Sequence, residues 1–342
     1  HPGSDRRFTI DGSHELETLV ADTCRNAADQ LKSMIPRKRL EGLLLAGGYG
    51  RGEGGVRTTA TGDQPYNDLE FFLFIKGHPW INEKRYGSTV HQLGVSLSKQ
   101  IGIEVEFKIT SAATVRKAAP SMFFYDLIMG HHRVLGDQSL MHGWEHHRQA
   151  GNIPAHEATR LLMNRCSGLL FSISRLSSGQ FDEEDSGFVQ RNIAKLQLAL
   201  GDVVLCGLGQ YHWSCRERNL RLRSCQGERL PFSLGQVRRL HNRGVEFKLR
   251  PVIEVRPRHI LSRELTSLLP LAWQVWRWLE ESRLGGEFAN PADYSLNQMD
   301  KCPEVSRLRR VSANLKAFGV RGVFSGRRYP RERLLNALPL ML

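Results

Sequence analysis

Two carboxylates at the start of an apolar segment have the spacing of a metal site. Asp68 and Glu70 open the run 68–75. Because side chains alternate across a strand, both carboxylates point to one face, while Leu69 and Phe71 enter the core. Two carboxylates on one strand edge can hold divalent cations about 3.5–4 Å apart, as two-metal phosphoryl chemistry requires. These residues therefore predict a site for a metal-bound nucleotide.

A third acid from a neighbouring strand usually completes such a site. The segment 103–109 alternates in the same way, which places its valine, phenylalanine and isoleucine side chains inside and leaves Glu104, Glu106 and Lys108 on the other face. Glu104 and Glu106 are both candidates from spacing alone. An amphipathic edge strand with solvated charges is the alternative interpretation.

A glycine-rich turn precedes these acids. The apolar residues 43–46 run into Gly-Gly-Tyr-Gly-Arg-Gly-Glu-Gly-Gly at 47–55. A Walker P-loop is excluded because no Gly-Lys-Ser/Thr triplet follows. Gly50, Gly52 and Gly55 formally satisfy the dinucleotide fingerprint, but the ribose-binding acid of that fold ends its strand, whereas these acids begin theirs. A surface turn beside solvated acids is the remaining alternative.

The turn and the acids together resemble the nucleotidyltransferase superfamily of DNA polymerase β and the kanamycin nucleotidyltransferases. The turn at 47–53 is most similar to that of the nitrogen-regulatory protein uridylyltransferases, which reads Gly-Gly-Tyr-Gly-Arg-Gly-Glu before Ser-Asp-x-Asp. Here Asn67 replaces the serine, Glu70 replaces the second aspartate, and the interval is longer. The added segment 58–65 is predicted to be an inserted loop. The resemblance covers roughly residues 40–140.

The resemblance implies a mixed sheet with flanking helices, and two Mg²⁺ ions, with Mn²⁺ as the alternative, held by Asp68, Glu70 and Glu106. In the family the third acid lies well inside its strand and activates the attacking hydroxyl, which favours Glu106 over Glu104. The segment 124–137 is similar to the helix, turn and short strand that close the family's catalytic core.

The resemblance also implies an NTP substrate whose phosphates lie near Gly47, Gly48 and Arg51. Related enzymes use a basic residue of the helical domain to hold the triphosphate, and Lys195 is the candidate here. It shares a helix face with Arg191 and Asp202, although a solvated lysine is the simpler alternative. The predicted reaction moves an NMP to an acceptor hydroxyl with release of pyrophosphate.

Hydrophobic periodicity predicts an α/β (α+β) domain at 1–145 and a mainly helical domain at 146–342, and the resemblance implies that the first is the catalytic domain. The length of 342 residues allows two domains. Periodicity also predicts a strand pair at 244–256. The other predicted strands are 41–46, 68–75 and 103–109, and the predicted helices are 13–34, 86–101, 155–176, 187–208, 261–282 and 303–318.

The net charge of +13 is unevenly placed, since residues 1–150 carry 18 Lys/Arg against 17 Asp/Glu and residues 151–342 carry 30 against 18. This asymmetry favours a polyanionic partner, which includes RNA, an acidic protein face or the triphosphate itself, whereas a solvated basic surface is the alternative. For the acceptor, the basic second half favours RNA, the similarity of the turn to the uridylyltransferases favours a protein, and the two-domain size favours a small molecule. A cluster at Arg216, Arg218, Arg221 and Arg223 is the candidate nucleic-acid surface.

Two rival interpretations stay open. His142, Glu145 and His146 match the His-x-x-Glu-His order of inverted zinc peptidases, although Gly143 weakens the helix that this motif needs. A catalytically degenerate module that binds a nucleotide or RNA without turnover is the second rival. No apolar run approaches the length of a membrane span and no signal peptide opens the sequence, so we expect a cytoplasmic protein with no membrane partner and with its six cysteines as free thiols.

Overall fold

The computed structural model describes residues 7–226, 230–324 and 328–342. Contacts divide the chain into two compact units. Unit 1 comprises His1–Pro154, Gly209–Arg221 and Val245–Val252, and unit 2 comprises Ala155–Leu208, Leu222–Gly244 and Ile253–Leu342. The predicted domain boundary at 145/146 stays a prediction, because a division by contacts does not test which part folds or acts alone.

Unit 1 is built on a four-stranded mixed sheet with strand order β5-β4-β1-β6. β4 and β5 are parallel, whereas β1 is antiparallel to both β4 and β6. β2 and β3 form a separate hairpin. The strands are β1 (Leu40–Leu45), β2 (Gly55–Thr59), β3 (Gly62–Tyr66), β4 (Asp68–Ile75), β5 (Glu104–Thr110) and β6 (His132–Leu135).

Helices flank this sheet in unit 1 and make up the regular structure of unit 2 in the described residues, in agreement with the predicted α/β (α+β) class. Those of unit 1 are α1 (His14–Met34), α2 (Gly47–Gly50), α3 (Pro79–Ile101), α4 (Ala112–Lys117) and α5 (Met122–Met129). α8 (Cys215–Ser224) begins in unit 1, and α9 (Leu234–Leu249) ends in it. Those of unit 2 are α6 (Ala155–Leu176), α7 (Glu183–Gly207), α10 (Arg258–Leu284), α11 (Pro291–Leu296), α12 (Arg307–Phe324) and α13 (Pro330–Met341).

The alternation of β4 divides the core of unit 1 between the two faces of the sheet. Leu69, Phe71 and Leu73 pack against α1 and α3 on one face. Phe72 and Phe74 pack with a second cluster on the opposite face. Toward the start of β4 the second face carries Asp68 and Glu70, which are partly exposed. The start of β4 thus carries the polar residues of the candidate site, and the rest of the strand is buried in the core.

The segment 58–65 lies within a β-hairpin, so the prediction that it is a loop is wrong. β2 and β3 pair in antiparallel register from Gly55 opposite Tyr66 to Thr59 opposite Gly62. Asp63 accepts a hydrogen bond from the Thr58 hydroxyl at 3.0 Å, and this contact joins the two strands. The polar strands lack the apolar alternation that marks a half-buried strand, so their sequence shows only turn signals.

The predicted strand pair at 244–256 is also wrong, because α9 continues to Leu249 and residues 250–257 form no strand. Val237, Leu240, His241 and Val245 are buried, and this spacing is helical. The four residues 245–248 alternate, but so short a window cannot separate a period of two from a period of about 3.6.

The ends of the other predicted elements follow from their caps. α7 begins before the predicted start at 187, because Asp182 and Asp185 form a reciprocal capping box. α3 begins at Pro79 rather than near 86, after His78 as the N-cap. The predicted helix at 155–176 is confirmed as α6, and the predicted helix, turn and strand at 124–137 are confirmed as α5 and β6.

All six cysteines are free, as predicted, and the structure buries each of them. None of the helices in the described ranges has the length and apolar character needed to cross a membrane.

Candidate functional site

The glycine turn after β1 lies directly beside the start of β4. Leu45 pairs with Phe71 across the two antiparallel strands, and the Ala46 N–H then donates to the Glu70 carbonyl at 2.8 Å. Gly47 has a φ of 64°, and a Cβ there would lie 2.8 Å from Glu70 Oε2. Glycine is therefore favoured at 47 by its left-handed backbone conformation, and the Glu70 carboxylate lies directly beside it.

The structure brings together the three acids that the sequence predicts. Parallel pairing sets Glu70 opposite Glu106 and Asp68 opposite Glu104. Lys108 Nζ lies 2.9 Å from Glu70 Oε1 and 3.7 Å from Glu106 Oε2. The ammonium group therefore neutralises part of the charge that these neighbouring carboxylates create.

Asp68 shows the strongest electrostatic effect of this cluster. Burial and, to a smaller extent, the nearby charges of Glu70 and Glu106 together raise the pKa of its carboxyl group from 3.8 to about 6. For Lys108, burial lowers the pKa, but the hydrogen bond and charge of Glu70 outweigh it and raise the pKa overall. The start of β4 is thus a region of negative potential that favours a bound cation.

Asn67 sets the direction in which Asp68 enters the strand. It has a φ of 81°, and no other non-glycine residue in the described part of the chain has a positive φ. Asparagine tolerates this left-handed conformation better than most residues. Its amide also donates to Asp68 Oδ1. Asparagine is therefore well suited to this position in the turn between β3 and β4.

Tyr49 ties the glycine turn to the hairpin. Its hydroxyl donates to the Gly55 carbonyl at 2.7 Å and accepts from the Tyr66 N–H at 2.8 Å. A Cβ on Gly54 would lie 2.2 Å from Cδ1 of the Tyr49 ring, so glycine is needed for this close packing. The tyrosine within Gly-Gly-Tyr-Gly therefore fixes the turn relative to the residues that lead into β4.

Glu53 anchors the far end of the turn, a role that the sequence analysis did not assign. Its buried carboxylate accepts hydrogen bonds from the Ser214 hydroxyl and from the Cys215 N–H at 2.9 Å, and Lys248 Nζ lies 3.8 Å away. Burial raises the pKa of Glu53, but the Lys248 charge and these hydrogen bonds outweigh it and hold the pKa near 2. The ionised carboxylate thus caps the first turn of α8.

Arg51, predicted to meet phosphates, is largely buried and donates to Asp126 Oδ2 at 2.9 Å. The Tyr211 hydroxyl donates to the same oxygen at 3.1 Å, and Arg218 donates to that hydroxyl at 3.1 Å. Burial lowers the pKa of Arg51, but the Asp126 charge raises it overall. Sequence reasoning missed Asp126 and Tyr211 because their distance along the chain from the turn hides the pairing.

The basic cluster predicted near 216–223 is partly internal. Arg218 is buried and also donates to the His212 carbonyl at 2.8 Å. Arg221 pairs with Glu217 at 3.0 Å, whereas Arg216 is exposed. The four arginines therefore do not form one uniform surface for phosphates, and a polyanionic partner stays a prediction.

Lys195 is exposed on α7 in unit 2, and its role with the triphosphate stays a prediction. Asp202, predicted to share its polar face, is instead buried and lies 3.0 Å from His241 Nε2. The structure does not form the helix that the zinc-peptidase motif needs, because the backbone of His142 is extended and Glu145–His147 form only a short 3-10 turn. His146 instead contacts the Ala118 carbonyl at 3.0 Å.

The donor chemistry of Asp68, Glu70 and Glu106 suits a hard divalent cation. Carboxylate oxygens are the ligands that Mg²⁺ prefers, and burial together with the charges of Glu70 and Glu106 raises the pKa of Asp68. The space that a Cβ at Gly47 would fill adjoins the Glu70 carboxylate. Among the described residues, no three His, Cys, Asp or Glu side chains form a ready-made metal cluster. The three carboxylates thus have suitable ligand chemistry for a hard cation, but they do not form a preformed cluster in the described residues.

No protein-family model matches this chain, and no curated protein matches it.

Proposed function

We propose that this protein is a Mg²⁺-dependent nucleotidyltransferase that moves an NMP from an NTP to an acceptor hydroxyl. The observation that carries the proposal is the pairing of Glu70 with Glu106 across β4 and β5, with Gly47 packed against Glu70. The superfamily resemblance of residues 47–53 and 67–70 supports the same fold and chemistry. A nucleotidyltransferase-type core accounts for acids on adjacent strands beside a glycine turn.

The position of each residue in the site determines the role that we propose for it. Gly47 and Gly48 begin α2, so their N–H groups have no acceptor within the helix and can meet phosphate oxygens. Asp68, Glu70 and Glu106 would hold Mg²⁺, which when bound neutralises phosphate charge and favours attack at the α-phosphorus. Arg51 positions the turn through Asp126.

Glu106 acts as the general base in this proposal. It accepts the proton of the acceptor hydroxyl as that oxygen forms its bond to the α-phosphorus. The bond from the α-phosphorus to the bridging oxygen breaks, and pyrophosphate leaves with the electron pair. Glu106 is suited to this role because its side chain is 44% exposed and can reach an incoming acceptor.

A nucleotide-binding module without turnover is the second candidate. The observation that favours it is the Lys108 ammonium, which already contacts both Glu70 and Glu106. A protein that only holds a nucleotide could use this lysine in place of one metal ion.

Transfer of label separates the two candidates. The protein is incubated with each α-labelled NTP, Mg²⁺ and, in turn, total RNA, total protein or a small-molecule extract. We expect label in one acceptor fraction and loss of that label in Asp68→Asn. NTP binding with no label in any fraction would overturn the transferase and support the binding module.

A further inference from the structure

A groove of about 340 Å³ runs between α3 and the outer edge of β5, next to Glu106. It belongs entirely to unit 1. Its lining includes Glu83, His91 and Val95 from α3 and Glu104, Glu106 and Phe107 from β5. A molecule in this groove would lie beside the carboxylate that we propose as the general base.

β5 is at the edge of the sheet, and within the described residues no strand pairs with its outer side. At Val105, α3 already covers this edge. The Val105 N–H donates to Ser98 Oγ at 2.8 Å, and a Cβ on Gly94 would lie 2.7 Å from the Val105 carbonyl oxygen. Alternate residues of a strand point their backbone groups the same way, so Phe107 and Ile109 also direct theirs outward. Beyond Val105, the edge can accept an extended chain.

The charge of the groove selects the kind of chain. Glu83, Glu104 and Glu106 line it, and its described lining contains no lysine or arginine, so Lys108, 3.7 Å from Glu106 Oε2, offsets only part of this negative charge. The remaining titratable lining residue is His91. An acidic groove disfavours the phosphates of RNA and complements lysine or arginine side chains.

We propose that the acceptor is a hydroxyl-bearing side chain in an extended, basic protein segment that adds as a strand to β5. This proposal rests on the proposed nucleotidyl transfer. An added strand lies about 4.7–4.9 Å from its neighbour and places alternate side chains on one face. A serine, threonine or tyrosine on the face of Glu106 therefore presents its hydroxyl to that carboxylate, while flanking basic residues meet Glu83 and Glu104.

The chemistry at this acceptor is a simple exchange of bonds. The side-chain oxygen bonds to the α-phosphorus, the bond to pyrophosphate breaks, and the hydroxyl proton goes to Glu106. The product is a phosphodiester that joins the NMP to the protein side chain.

Peptide binding to the whole protein tests the docking mode. The probe is a fluorescent peptide in which valine alternates with lysine or arginine around a central serine, and its partner carries glutamate at every basic position. We expect the basic peptide to bind at least about tenfold more tightly. N-methylation of backbone nitrogens in one alternating register should weaken binding about tenfold, and in the other register should not. Equal affinities in either comparison would overturn the proposal.

Two variants locate the binding to this groove. Val95→Trp fills it and Glu83→Lys reverses its charge, and each should weaken binding of the basic peptide at least about fivefold. Gln92→Trp on the same helix and Asp29→Lys on α1 are matched exposed controls, which should bind the peptide as wild type does. NTP affinity should be unchanged in all four variants, and this result would show that each variant is folded. Unchanged peptide affinity in both groove variants would contradict the docking site.

The transfer assay distinguishes failure of this inference from failure of the proposed function. With the serine peptide, labelled NTP and Mg²⁺, we expect label on the peptide and none on its alanine counterpart. Label on RNA or a small molecule but not on the peptide would overturn the peptide acceptor and leave the transferase standing. Peptide binding without label in any acceptor would overturn both.

Discussion

Lys108 Nζ lies 2.9 Å from Glu70 Oε1, so a cation from the protein already occupies part of the acidic site. The same nitrogen lies 3.7 Å from Glu106 Oε2. The lysine thus balances two carboxylates that face each other across parallel strands, and it competes with any metal ion for their oxygens.

Removal of this lysine should strengthen metal binding. We expect Lys108→Met to raise the affinity for Mn²⁺ about three- to tenfold, because a partly exposed competing charge is lost while the stem keeps its packing. A titration followed by electron paramagnetic resonance measures free Mn²⁺. Lys84→Met, an exposed lysine on α3, is the control and should leave the affinity unchanged. Equal or weaker binding in Lys108→Met would mean that Lys108 helps to hold the ligand instead.

The raised pKa of Asp68 predicts a pH-dependent cost to stability. Because the folded pKa is about 6 against an ordinary 3.8, the folded state keeps a proton that the unfolded state releases between these values. The Asp68 carboxyl group therefore makes its full contribution to the free energy of unfolding below about pH 4, and this contribution is lost as the pH rises to about 6. Relative to wild type, Asp68→Asn should gain about 1–2 kcal/mol across this range, a value reduced for partial exposure.

Urea unfolding of both proteins at several pH values measures this difference, since other titrating groups are shared and cancel. Added Mg²⁺ at neutral pH should stabilise wild type more than Asp68→Asn. If the difference in unfolding free energy between wild type and Asp68→Asn did not change with pH, Asp68 would not titrate in this range.

Much of the candidate site could be predicted because it lies on consecutive residues with clear periodicity. One alternating pattern places Asp68 and Glu70 on one face of the strand and Leu69 and Phe71 on the other. The observed β4 spans the predicted 68–75. The pairing that brings Glu106 beside Glu70 follows from two adjacent parallel strands with intact alternation.

The contacts that support the site could not be predicted in this way. Glu53 binds the start of α8, and Arg51 binds Asp126, through partners far away in sequence. Local spacing carries no information on such pairs, so the protein partners of the charged residues in the glycine turn are visible only in the structure, and a phosphate contact of Arg51 stays a prediction. The polar hairpin 55–66 was missed because its pairing depends on backbone hydrogen bonds and side-chain contacts such as Thr58 to Asp63.

Glu106 should matter more to turnover than Glu104. Glu106→Gln keeps the shape and removes the base, so we expect turnover to fall about 10²–10⁴-fold with a modest change in NTP affinity. Glu104→Gln is the matched control one same-face position away. Steady-state pyrophosphate release and nucleotide titration give the two quantities. A larger loss of turnover in Glu104→Gln would reassign the third acid.

Glu53 should be needed for the folded state rather than for chemistry alone. Glu53→Ala leaves the Cys215 N–H and the Lys248 ammonium without their buried partner, so we expect a loss of about 2–4 kcal/mol of unfolding free energy. Urea unfolding measures it, with the exposed Glu184→Ala as a control expected to change stability by less than about 0.5 kcal/mol. If Glu53→Ala were as stable as wild type, the anchor at α8 would have no energetic role.

Pyrophosphate release by Asp68→Asn and Glu70→Gln, compared with wild type, tests the acidic site most directly. Both substitutions keep side-chain shape and remove charge, and urea unfolding establishes that each variant is folded before its rate is read. With Mg²⁺, NTP and the acceptor fraction that becomes labelled, wild type should release pyrophosphate in step with nucleotidyl transfer. Each variant should lose at least about 10³-fold in rate, the equivalent of about 4 kcal/mol of transition-state stabilisation. Near-wild-type release in either folded variant would contradict the proposal that Asp68, Glu70 and Glu106 form the catalytic site.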